Sequence, residues 1–192
     1  MKRRFPAFQK FLSAKVVSLE TPVTNIVRTG RTRNLVTRGP RGQGAPAVTC
    51  QDSARVLAAL LGGDTPQTAN DLLEWLLKSK PGALKEEPPP IQGLAVDWWQ
   101  RPFPDAVAQI IEARFLNPKF SFTRGLVVVH RTFMSAEINW NEGNKQFGVI
   151  TYHSVGAPPR MTSGRKQLTA SFDGYTLMMV ADWLAEREGT DG

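Results

Sequence analysis

Apolar residues recur at helical spacing through the first part of the chain, and between Ala136 and Phe172 they alternate as in strands. Phe5, Phe8, Phe11 and Leu12 put one apolar face on a helix within Met1 to Leu19, flanked by Lys10 and Lys15. Thr21-Pro22 reads as an N-cap followed by proline at the first helical position. It opens a short helix that uses Val23, Ile26 and Val27 and stops near Gly30. Leu35-Val36-Thr37 and Ala47-Val48-Thr49 are β-prone and flank Arg38 to Pro46, so they predict a hairpin with a basic, glycine-rich tip. Thr49 can cap the next helix, and Asp52, three residues on, suits its positive end. That helix buries Ala54, Val56, Leu57, Leu60 and Leu61 and ends at Gly62-Gly63. Asp64-Thr65-Pro66 starts another, with Ala69, Leu72, Leu73, Leu76 and Leu77 inward, ending between Lys78 and Gly82.

Lys85-Glu86-Glu87-Pro88-Pro89-Pro90 lacks the amide donors that regular structure needs and reads as a linker. The expected division is a basic helical part over 1–84, a Pro-rich linker over 85–92 and an α+β domain over 93–192. Beyond the linker, Trp98, Trp99 and Phe103 precede a helix from Asp105 to Phe115, with Val107, Ile110, Ile111 and Phe115 inward. Those aromatics either pack on a sheet or stack on bases or a partner. Gly125 to Phe133, Ala136 to Trp140 and Gln146 to His153 predict an antiparallel meander turned at Asn141-Glu142-Gly143-Asn144. Lys166 to Phe172 is a last strand, and Asp173-Gly174 leads to a helix from Tyr175 to Glu188. The fold class is α+β: a small helical part of helix-turn-helix or winged-helix type, then a small antiparallel sheet with packed helices.

Charge sharpens this picture. Met1 to Gly44 carries ten Lys and Arg against one acid, Glu20, whereas the rest carries fourteen basic and sixteen acidic residues. The whole cationic excess sits in the first quarter, which points to a polyanionic partner. A single cysteine, Cys50, excludes an internal disulfide framework and suits a reducing cytoplasm. It lies at a helix start, where a thiol pKa can fall. No apolar run is long enough to span a bilayer, so a cytoplasmic protein without a membrane partner is expected. The two histidines, His130 and His153, fall on predicted strands and would need Glu137 or Cys50 to complete a metal set. Neither metal-ligand spacing nor a phosphate-loop or dinucleotide motif is present, so no enzyme and no cofactor is expected.

The expected partner is nucleic acid, DNA ahead of RNA. Arg28, Arg31, Arg33, Arg38 and Arg41 would displace counterions from phosphates or enter a minor groove. Gln51 and Arg55 are weaker candidates for base edges, because the helix carrying them is otherwise apolar. The run Gly30 to Leu35, Arg38-Gly39-Pro40-Arg41-Gly42-Gln43-Gly44-Ala45-Pro46 and Thr49-x-x-Asp52-x-Ala54-x-x-Leu57-x-Ala59-Leu60 resembles the N-terminal region of small prophage-borne proteins of uncharacterised activity. The resemblance covers about a sixth of the chain and implies a phage setting and no activity; together with the basic stretch, the reading is a phage or prophage regulator or accessory factor. The α+β part would serve self-association into a homo-oligomer or partner contact. Two alternatives stand beside this: an oligomeric DNA-packaging component of terminase-small-subunit type, and a protein-interaction factor that inhibits a nucleic-acid enzyme.

Overall fold

The computed structural model describes residues 3–17, 20–39, 45–82, 91–131, 134–142, 146–154 and 168–186. Helix α1 (Phe5–Leu12) turns Phe5, Phe8 and Leu12 inward and runs on into a π-helical turn, Ser13–Val17. Phe8 and Phe11 pack on Trp183 with ring centroids 5.3 and 5.2 Å apart, which docks α1 on the far end of the chain. Helix α2 (Glu20–Thr32) starts one residue before the expected cap and runs past Gly30. Asn34, at φ 58°, closes it. The amide of Leu35 donates to Gly30 O at 2.9 Å and that of Asn34 to Arg31 O at 3.2 Å, the paired bonds of a Schellman ending.

That ending removes the expected hairpin. Leu35 and Val36 are buried in the bend after α2, and Ala47 forms its antiparallel bridge with Arg4 instead. Val48 N donates to Arg3 O at 2.9 Å, so the second β-prone piece pairs with the N-terminus. The physical reason is burial: two large apolar side chains following a helix end gain more in the core than on a two-stranded ribbon exposed to water.

Helix α3 (Cys50–Gly62) begins with the expected cap, Thr49 and Asp52 closing a reciprocal capping box. The Asp52 carboxylate also accepts Thr37 N at 2.7 Å, which holds the loop entry against the helix start. Ala54, Val56, Leu57, Ala58, Ala59 and Leu61 are all buried, because α3 packs on α2, on the three helices at 66–76, 103–116 and 174–184, and on the strands at 126–130 and 169–173. Helix α4 (Pro66–Leu76) starts at the Thr65 cap with proline in its first turn. Its buried Asn70 donates to Ile26 O at 3.2 Å and Pro66 O at 2.7 Å, which joins α2 to α4 where Gly30 permits close approach.

Residues Ser79–Pro81, expected at a helix end, form strand β1. Helix α5 (Phe103–Leu116) follows a 3₁₀ turn at Trp98–Gln100. Strands β2 (Leu126–His130), β3 (Ser135–Glu142) and β4 (Gln146–Ser154) form the predicted meander, and β5 (Thr169–Asp173) leads into helix α6 (Gly174–Leu184). The sheet is five-stranded and wholly antiparallel, in the order β1-β4-β3-β2-β5. The fold is thus α+β: N-terminal helices, then an antiparallel sheet with packed helices. Most of the Pro-rich run, 83–90, lies outside the described residues. Strand β1, from before that run, pairs with β4 from after it, and α3 packs on α5 and β2.

One buried cluster extends from Phe5 to Leu184. Trp98 and Phe103 belong to it, edge-on to Trp140 and Tyr152 respectively, so these aromatics pack rather than wait for bases. On the opposite sheet face lie Val149, 48% exposed, with His130, Glu137, Thr151 and His153. None of the described helices is long and apolar enough to cross a membrane.

Candidate nucleic-acid interface

The seven residues singled out from the sequence have different surroundings. On α2, Arg28 is exposed. Arg31 stacks its guanidinium on Phe5, 4.3 Å from the ring centroid, and its Nε donates to Thr37 O at 3.3 Å. Arg33 is paired with Asp71 at 2.7 Å and Glu74 at 3.2 Å, both on α4. The hydrogen bond from Arg33 to Asp71 is the chief cause of a guanidinium pKa raised above its ordinary value. Arg31, in the last turn of α2, also meets the negative end of the helix, which stabilises it without any ligand. Arg38 is exposed, just before the residues that are not described; Arg41 lies outside the described residues.

Gln51 and Arg55, both on α3, converge on one acid. Gln51 Nε2 donates to Asp105 Oδ1 at 3.0 Å, and Arg55 lies 3.8 Å from the same oxygen. Arg55 also donates to Leu35 O at 3.0 Å. These two side chains tie α3 to the first turn of α5 and to the bend after α2, and α3 offers no free face to a DNA groove. Further upstream, Arg3 lies over Trp183, 4.9 Å from the ring centroid.

Four cations remain exposed along this part of the chain: Lys10 on α1, Lys15 in the π-helical turn, Arg28 on α2 and Arg38 in the loop that follows. Among the described residues no carboxylate lies within 4.0 Å of any of these four cations. Three acids of the helices that follow are engaged elsewhere: Asp52 in the α3 cap, Asp71 and Glu74 on Arg33. A strand of phosphates meeting these cations would encounter uncompensated positive charge.

A groove of about 1000 Å³ opens between the start of α3, α5 and the end of α6, walled by Arg3, Cys50, Gln51, Arg101, Asp105 and Glu112. Nothing in the sequence marked it, because its walls come from segments with no shared periodicity. Its acids, Asp105, Glu112 and Glu186, outnumber Arg3 and Arg101, so it lacks the potential that would gather phosphate. Cys50 in its wall is no activated thiol: burial, with Glu112 adding to it, pushes the thiol up to about 11. Desolvation outweighs the helix start, contrary to the downward shift that the helix position alone implies.

The histidines flank Ser135, with His130 opposite it on β2 and His153 opposite it on β4. His130 Nε2 is 3.4 Å from Glu137 Oε1, and Cys50 is at the start of α3, so these four groups form no common centre. Among the described residues no cluster of three His, Cys, Asp or Glu side chains is placed to hold a metal ion. No known protein family matches the sequence, and no curated protein or solved structure is significantly similar to the chain.

Proposed function

We propose that the chain is a nucleic-acid-binding protein, taking duplex DNA in preference to RNA, and that it serves as a phage-type regulator or accessory factor. The phosphate contacts come from Lys10, Lys15, Arg28 and Arg38, and Arg41, outside the described residues, is a further candidate. The observation that supports this reading is the exposure of Arg28 and Arg38 with no carboxylate in reach among the described residues. Gln51 and Arg55 are assigned to holding the fold, since both already engage Asp105. A helix-turn-helix use of α3 and α4 is disfavoured by the burial of α3, so the contact falls to α1, α2 and the segments that follow each of them. Binding of this kind is dominated by counterion release and is weak in sequence preference. The test is a salt-titrated binding assay with duplex DNA, single strands and structured RNA side by side. Affinity for duplex that falls steeply with salt supports the reading; no affinity for any of the three at physiological salt removes it.

A further inference from the structure

We infer that the edge of β5 turned away from β2, which no other described strand pairs, joins the same edge of a second copy of this chain, in antiparallel register about a two-fold axis at Ser171. The two edges of the sheet differ. β1 ends its edge with Lys80 and Pro81, a charge and a residue without an amide donor, the devices that keep sheet edges apart. β5, Thr-Ala-Ser-Phe-Asp, carries neither lysine nor proline.

Its backbone polarity follows from the register. Arg131 N donates to Leu168 O at 2.8 Å and Gly174 N to Gly125 O at 2.7 Å, on either side of the pairs Val129↔Ala170 and Val127↔Phe172. Residues 168, 170, 172 and 174 therefore direct their backbone groups toward β2, and Thr169, Ser171 and Asp173 direct theirs outward. Thr169, Ser171 and Asp173 are exposed, and among the described residues no backbone group bonds the amides of Thr169 and Ser171. Unpaired strand edges of this kind are templates for strand addition.

The edge is complementary to itself in one register. With Ser171 opposite Ser171, Thr169 faces Asp173 of the second copy, and all three are outward-directed residues, so the ladder bonds align. Thr169 Oγ1, 3.3 Å from His130 Nδ1, then faces the Asp173 carboxylate, whose Oδ1 accepts from Thr176 in the α6 cap, and no like charges are opposed. On the helix-covered face Ala170 falls opposite Phe172, a small side chain beside a large one, and both are only partly buried in the single chain. Tyr175, 52% exposed, follows two residues after Asp173 in the first turn of α6. The product is a continuous antiparallel sheet running through both chains.

The test is the mass of the full chain in solution by sedimentation velocity over micromolar concentrations, for wild type, Ser171→Pro and Ser171→Lys. Ser171→Pro removes an outward amide and leaves the β2 pairing intact; Ser171→Lys places like charges across the axis. Wild type is expected to dimerise, and each variant to weaken the dimer about tenfold or more. Circular dichroism confirms that each variant is folded, and should the proline variant fail to fold, the lysine variant decides. A wild type that stays monomeric, or a dimer that both substitutions leave unchanged, overturns the inference.

Discussion

Ser79 at the start of β1 and Phe103 at the start of α5 are joined by a buried hydrogen bond, the Phe103 amide donating to Ser79 Oγ at 3.1 Å. The same hydroxyl donates to Leu76 O at 2.7 Å, so one side chain satisfies the last turn of α4 and the first turn of α5. Ser79→Ala leaves both backbone groups buried without a partner, and a loss of about 1–3 kcal/mol is expected. Urea unfolding followed by fluorescence and by circular dichroism checks it. Because the bond spans the Pro-rich run, the two probes should also report a single coincident transition.

Gly174, where β5 becomes α6, sits against the chain before β2. A Cβ placed there would lie 1.7 Å from Phe122 O, a backbone atom that cannot swing aside. Gly174→Ala is expected to cost about 3 kcal/mol or more, as overpacking against backbone does. A thermal melt reads this, and an unchanged midpoint would show that the strand–helix junction is looser than described.

Replacing Arg28 and Arg38 with alanine should weaken duplex binding alike on unrelated sequences and reduce the salt slope by about two units. Arg33→Ala serves as the contrast. Its charge is already matched by Asp71 and Glu74, so the slope should stay put while the melting temperature falls slightly. The reverse pattern would move the interface away from Arg28 and Arg38.

Alkaline pH should find a weak point at Cys50. The folded chain holds this thiol proton more tightly than the unfolded chain, with a pKa of about 11 against 9.0. Its contribution to stability is therefore complete below pH 9 and lost as pH rises toward 11. Burial raises Tyr152 in the same direction. The urea midpoint should fall across that window, less steeply in Cys50→Ala, and iodoacetamide at pH 8 should label Cys50 slowly until the chain is unfolded.

Signals confined to a few neighbouring residues were legible in the sequence. Thr49 with Asp52, and Thr65 with Pro66, mark helix starts because a cap is made within one turn. The alternation of Ile138 and Trp140, with Asn139 between, likewise announces β3, because a half-buried strand repeats every second residue. Strand β1 has no such mark: Ser79-Lys80-Pro81 becomes a strand only through β4, distant in the chain. Leu35 and Val36 misled because β-propensity describes fit to a pleated surface, whereas here a helix ending delivers both into the core. The arginines were legible as charge and illegible as partners, since Asp71, Glu74 and Asp105 reach them only through the tertiary packing.

The position of α3 bears on how the chain is made. Its start is held by Thr37, while at its end Arg131, beyond β2, donates to Leu61 O at 2.6 Å and pairs with Asp64 at 2.7 Å. A ribosome that has released only the first four helices has therefore produced an apolar rod whose remaining cover is still untranslated. Such a nascent chain should be cut readily by protease and bound by holding chaperones until the sheet emerges, and pulse-labelling arrested chains of increasing length would time that rescue.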